Sequence, residues 1–211
     1  MTLTPSTAEL IALGAPIVLR DGSRIRLRQG HRTDKARLLE GFSRLSPESR
    51  YRRFLAATPD LSAETVRYLT EIDHRDHEAI AALNEETGDG IGIARYIRNP
   101  QRPDTAEVAV TVIDDWQGKG VGTLLLDVLA GRARVEGITK FTALMLASNQ
   151  NMMDVLNALG PVRTIDRETG TVEVEVPVPE DGLSPALRKL LRVSAGINGA
   201  APPAGRDRFG D

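Results

Sequence analysis

Apolar positions along this chain follow two periods, and the switches between them outline its elements. A two-residue alternation at Arg24-Ile25-Arg26-Leu27-Arg28, just past the turn at Asp21-Gly22, predicts a half-buried strand. A helical period follows: Thr33 or Asp34 can cap a helix that carries Ala36, Leu38, Leu39 and Phe42 on one side. Ser46-Pro47-Glu48 opens a second helix bearing Tyr51, Phe54 and Leu55, with Pro47 suited to its first position. Ser62-Ala63-Glu64-Thr65 opens a third, with Val66, Leu69 and Ile72 at helical spacing. Strands return at residues 78–85 and 91–98, joined at Thr87-Gly88-Asp89-Gly90 as a hairpin, and again at 105–113. In that last strand Ala106, Val108, Val110 and Val112 read as a core face, whereas Glu107, Ala109 and Thr111 can line a cleft. Val121, Leu124, Leu125, Val128 and Leu129 then mark an amphipathic helix that Gly137 ends. Residues 141–147 form a buried strand, and Met152, Val155, Leu156 and Leu159 are one stripe of a further helix, read as core. Residues 163–166 and 171–176 close the pattern as a hairpin around Thr169-Gly170.

The ends differ from this middle. Residues 1–16 read as a flexible arm with a short helical possibility at 8–13, and residues 17–178 as one domain. Residues 179–211 read as a short basic helix, including 188–192, followed by a Gly-, Pro- and Ala-rich disordered tail. A length of 211 residues suits a single domain with such extensions. With 27 basic against 29 acidic residues the net charge is -2, which offers no basic excess for a nucleic-acid partner. The absence of cysteine excludes disulfides, cysteine metal sites and cysteine nucleophiles. No signal sequence and no long apolar run is present, so a soluble, cytoplasmic chain with no membrane partner is expected. Monomer and homodimer both remain open.

Chemistry concentrates at Gln117-Gly118-Lys119-Gly120-Val121-Gly122-Thr123, between a strand and a helix. Glycines on alternate positions let backbone approach a ligand, and a helix N-terminus offers free N–H groups to phosphate. Lys119 adds positive charge. The spacing G-x-G-x-G fits neither a P-loop nor the dinucleotide fingerprint G-x-G-x-x-G. A phosphate-bearing cofactor held largely by backbone is expected.

The loop does match Q/R-x-x-G-x-G/A, and with it the chain resembles the GNAT superfamily of N-acetyltransferases over residues 25–176. Val112-Ile113-Asp114-Asp115-Trp116 before the loop is similar to that family's V-x-P-x-aromatic run, and Asn149, Met152 and Leu159-Gly160 to its N-x-x-A/M…L-G segment. Arg44-Leu45-Ser46-Pro47-Glu48-Ser49-Arg50-Tyr51, Thr70-Glu71-Ile72-Asp73-His74 and Ala106-Glu107-Val108-Ala109 resemble bacterial Pat-type protein lysine acetyltransferases. The resemblance implies an α/β (α+β) fold with a mixed, mostly antiparallel sheet of about six to seven strands flanked by helices. It implies acetyl-CoA as co-substrate, held by Gln117 to Thr123, and an oxyanion donor from backbone near Val112; Asn149, polar at a strand end, either bonds the pantetheine arm or serves as a turn or cap. The resemblance implies Glu107 as general base, acting through a water on the acceptor amine. One departure stands out: the tyrosine that serves many relatives as general acid is replaced by Leu156.

Other polar groups carry alternatives. Asp73, His74, Asp76 and His77 have poor spacing for a metal, so none is expected and a polar turn is read instead. Arg50, Arg52 and Arg53 form a basic helical face, suited to solvent, to the 3′-phosphate of the cofactor or to an acidic substrate. Trp116 either covers the core at the loop or stacks on adenine. The acceptor is a protein lysine or a small-molecule amine, and a non-catalytic acyl-CoA sensor on the same scaffold is the rival reading.

Overall fold

The computed structural model describes residues 16–57 and 60–180. The arm helix at 8–13, the basic helix at 188–192 and the tail lie outside the described residues. Eight strands form one sheet: β1 (Ile17–Val18), β2 (Arg24–Gln29), β3 (His77–Asn84), β4 (Gly90–Asn99), β5 (Arg102–Val112), β6 (Lys140–Leu146), β7 (Arg163–Glu168) and β8 (Thr171–Pro177). The strand beyond the expected six to seven is β1, whose two residues are too few to show an alternation. Five helices are α1 (Lys35–Ser43), α2 (Pro47–Phe54), α3 (Ala63–Thr70), α4 (Val121–Val135) and α5 (Gln150–Leu159).

Strand order is β1-β2-β3-β4-β5-β6-β8-β7. Every neighbouring pair is antiparallel except β5 and β6, which α4 connects as a crossover. The helix α4 packs on β3, β4 and β5 from one face, while α1 and α2 lie on the other, with α3 against α1. Ile25, Ile80, Ile91, Leu125, Leu129, Phe141 and Leu156 are wholly buried and fill the core. Two of the caps read from sequence are present, since Ser46 and Ser62 accept from the N–H groups of Ser49 and Thr65; Asp34 stands at the N-cap of α1 but makes no capping hydrogen bond to it, its carboxylate being taken by Arg28 and the His31 N–H. Two apolar residues assigned to helices fall just past them. Leu55 is the left-handed C-cap of α2, and Ile72 follows α3, its side chain against Gly30.

The α4 face hides a carboxylate. Glu78 has no exposed surface, yet both oxygens are satisfied. One accepts from His74 Nδ1 and the Ala79 N–H, each at 2.9 Å; the other accepts from Gln29 Nε2 at 2.9 Å and Arg132 Nε at 3.3 Å. This single side chain joins β2, β3, α4 and the loop before β3. Without it, Arg132 keeps the Glu136 carboxylate at 3.5 Å, but the Ala79 N–H and Gln29 lose their buried acceptor, so Glu78→Ala is expected to destabilise the fold by about 1–3 kcal/mol, read by urea unfolding.

Candidate active site

The β5–β6 ladder holds only three pairs, Thr105↔Lys140, Ala106↔Phe141 and Glu107↔Thr142. Beyond Glu107 the strands diverge, because β5 stays with β4 up to Val112 while β6 stays with β8 up to Leu146. The gap is a cleft of about 350 Å³. Val110 and Val112, expected in the core, are half-buried and form its wall. Ala109 and Thr111, on the opposite face of β5, line a second cavity of about 120 Å³ under α1–α3. Both faces of β5 therefore serve cavities.

The glycine loop stands at the mouth of the cleft. A 3-10 turn at Asp114–Trp116 leads to Gln117, and Gly118 and Gly120 follow with φ of 74° and 87°. A Cβ built on either would have no heavy atom within 4 Å, so the loop keeps both its left-handed backbone and open space above it. Gly120 is the N-cap of α4, and no side chain caps that helix; its first internal bond runs from Leu124 N–H to Gly120. The N–H groups of Val121, Gly122 and Thr123 thus stand at an uncapped helix N-terminus. Gly122 has a separate role: a Cβ there would meet Val155 Cγ2 at 3.4 Å, so it sets the approach of α4 to α5.

Of the expected cofactor residues, Val112, Gln117, Gly118, Gly120, Gly122, Thr123 and Asn149 line the cleft. Val121 is buried in the core and Lys119 is held elsewhere. The Lys119 ammonium lies 3.1 Å from Asp21 Oδ2 and 4.9 Å from the centre of the Trp116 ring. The Ser23 backbone N–H, with Lys119, holds the Asp21 carboxyl at about 2. Asn149 is the N-cap of α5 and accepts from the Met152 N–H at 3.2 Å.

A polar brace fixes the loop. Asp114 accepts from the Ser46 N–H at 3.0 Å and from the hydroxyls of Ser46 and Ser49 at 2.8 and 2.9 Å. Burial alone would raise the Asp114 pKa, but these donors outweigh it and leave it below the usual carboxylate value. Gln117 Nε2 donates to Ser49 Oγ at 3.1 Å and to the Val112 carbonyl at 3.0 Å. The brace escaped the sequence reading, which saw Ser46 only as a cap and did not single out Ser49; their spacing on α2 was the available signal.

Glu107 is exposed at the apex of the split, opposite Ile97. It lines neither cavity, but its charge reaches Arg53 and Arg95. The three arginines of α2 have separate tasks. Arg52 pairs with Glu48, Arg50 lies 4.4 Å over the Phe42 ring and donates to the Leu45 carbonyl, and Arg53 lines both cavities. Arg95 was not singled out, although a lone arginine inside the apolar run of β4 was a visible signal. Leu156 is wholly buried, so α5 offers no hydroxyl at the position of the absent tyrosine.

The histidine cluster is a polar turn. Asp73 Oδ1 accepts from the N–H groups of Arg75, Asp76 and His77, and no group of three ligating side chains is placed to hold a metal among the described residues. His77 Nε2 lies 2.8 Å from Arg95 Nη2; because a guanidinium only donates, the imidazole must accept there and be neutral.

The match to the acetyltransferase (GNAT) family model spans residues 43–160. An acetyltransferase named Pat from Mycolicibacterium smegmatis is 33% identical over 188 residues, 84% of this chain but 56% of the relative, so the chain spans little more than half of that protein. An acetyltransferase of Pseudomonas aeruginosa is 33% identical over 155 residues, 72% of this chain and 83% of that protein. Among solved structures, the GNAT domain of S. lividans PAT superposes with a TM-score of 0.71 at 36% identity, covering 77% of this chain and 96% of the domain. No helix among the described residues is long and apolar enough to cross a membrane.

The His77 geometry makes a pH prediction. Burial first, and the Arg95 charge second, depress its pKa below the usual 6.5. Stability from the neutral ring is therefore complete above pH 6.5 and is lost as the pH falls through the lower folded value. An NMR titration is expected to give His77 a midpoint below 6.5; a higher midpoint would contradict the neutral, accepting nitrogen.

Proposed function

The chain belongs to the acetyltransferase (GNAT) family, N-acetyltransferases that use acetyl-CoA, and we propose that it carries an acetyl group to a primary amine with Glu107 as general base. The observation that carries this reading is the split of β5 from β6 beneath an uncapped helix N-terminus with two open glycines. The N–H groups of Val121, Gly122 and Thr123 suit a pyrophosphate, and the freed edge of β5 between Glu107 and Val112 suits an amide-bearing arm. The thioester supplies the acyl group. Glu107 takes a proton from the ammonium through a water, and the amine nitrogen bonds the acetyl carbon. The bond from that carbon to sulfur breaks, the second proton leaves nitrogen, and the thiolate takes a proton from solvent. Backbone N–H near Val112 steadies the oxyanion, and with Leu156 at the tyrosine position the described residues of α5 supply no acid to the leaving thiolate.

Two acceptor readings have separate support. A protein lysine is supported by the resemblance of residues 44–51, 70–74 and 106–109 to Pat-type protein lysine acetyltransferases. A small-molecule amine is supported by the second cavity, about 120 Å³ under α1–α3 with a largely apolar lining.

Calorimetric titration with acetyl-CoA tests the cofactor half. Wild type is expected to bind saturably, and Gly120→Glu, which fills the open space with a negative charge, to lose that binding while still melting cooperatively. Glu107→Gln tests the chemistry, with turnover expected to fall by about 10²–10³ at unchanged acetyl-CoA affinity. Unchanged turnover would remove Glu107 as the base, and an absence of turnover in wild type would favour the acyl-CoA sensor.

A further inference from the structure

Two cations line the second cavity without a carboxylate to bind them. Arg95 is only 5% exposed, and its Nη1 is buried with no hydrogen-bond partner. Its Nη2 meets neutral His77, and the Tyr68 ring covers the guanidinium at 4.9 Å. Arg53, from the last turn of α2, reaches the same cavity and makes no hydrogen bond or ion pair among the described residues; its guanidinium lies 5.0 Å from the Phe54 ring and feels the charge of Glu107. The two guanidiniums sense one another: burial first, then the charge of Arg53, pushes Arg95 down to about 10. The cavity's other cations are already answered, since Asp34 takes Arg28 through both oxygens at 2.7 Å and holds Arg37 at 3.5 Å.

We propose that Arg53 and Arg95 clamp a carboxylate, and that the acceptor is a small amine bearing that carboxylate beside an apolar side chain. The inference rests on the small-molecule reading of the acceptor given above. Planar guanidinium forks match the two oxygens of a carboxylate, and the orphaned Nη1 is a donor already desolvated for it. The remaining wall is apolar, with Phe42, Leu45, Leu69, Ile93 and Ile113 among its side chains, and favours a branched or aromatic substituent over a polar one. The clamp then holds the acid, and Glu107, outside the cavity but two residues along β5 from the cavity-lining Ala109, is the negative charge left for the ammonium end.

The test uses an acid and its amide of equal shape. Calorimetry with 4-methylpentanoate is expected to show saturable binding at least tenfold tighter than with 4-methylpentanamide. Arg53→Gln and Arg95→Gln are each expected to erase that preference. Both variants are first checked by thermal melting; if the buried Arg95→Gln fails to fold, the half-buried end of the clamp, Arg53→Gln, carries the test alone. In turnover with acetyl-CoA, leucine is expected to exceed leucinamide at least tenfold in kcat/KM, and the gap to close in Arg53→Gln. Equal binding of acid and amide, or no saturable binding of either, overturns the clamp. A preference for succinyl-CoA over acetyl-CoA that Arg53→Gln abolishes, with no acid preference among acceptors, also overturns it, because the arginines would then read the acyl chain. Acetyl-CoA titration beside each measurement separates these failures from failure of the acetyltransferase reading, since loss of the clamp leaves the wild-type cofactor isotherm in place.

Discussion

The ladder between β5 and β6 stops after three residue pairs because each strand is committed to another neighbour: β5 to β4 as far as Val112, and β6 to β8 as far as Leu146. Backbone polar groups inside a sheet need partners, so an edge opened in mid-sheet is tolerated where water or a ligand can reach it. The rest of the site depends on that opening. Because the two strands are parallel, the chain must cross over between them, and the crossover helix α4 begins where the gap is widest. A helix that starts there brings its N–H groups to the mouth of the cleft. The left-handed turns at Gly118 and Gly120 make the approach possible without a side chain in the space.

The two faces of the sheet treat buried charge differently. On the α4 face, Glu78 receives four donors and is a finished internal joint; none of its lone pairs is left for a ligand. On the other face, Arg95 is buried almost as deeply but keeps a nitrogen without a partner. An unsatisfied buried donor costs stability, on the order of 1–3 kcal/mol, and such a cost is retained where a site uses it. The same molecule therefore shows a buried charge that holds the fold and one that is held ready.

Local periodicity made most of the elements legible. The alternation of β2 is set by one buried face, and the caps at Ser46 and Ser62 are short-range hydrogen bonds; the stripe read on α1 is met only in part, since Phe42 is buried while Ala36 and Leu39 are exposed. The glycine loop was legible for the same reason, since positive φ is a local demand. What escaped the sequence was decided between distant segments. Whether Lys119 is mobile depends on Asp21, almost a hundred residues earlier. Whether Val110 and Val112 lie in the core or on a cleft wall depends on where β6 leaves β5, which no pattern within β5 records. Arg50, Arg52 and Arg53 look alike on a helical face, yet one covers Phe42, one pairs with Glu48 and one reaches both cavities.

That last arginine shows how the two cavities are mechanically joined. The helix α2 has eight residues, a rod of about 12 Å. Its first turn is tied to the glycine loop, because Asp114 takes the hydroxyls of Ser46 and Ser49 and Gln117 donates to Ser49. Its last turn carries Arg53, and Leu55 then reverses the chain in a left-handed C-cap. A rod this short does not bend, so the distance from the glycine loop to the Arg53 Cα is set by helix geometry. The cleft and the second cavity share β5 as a wall and α2 as a strut. Any movement of the loop at one end of α2 must therefore be felt by the guanidinium at the other.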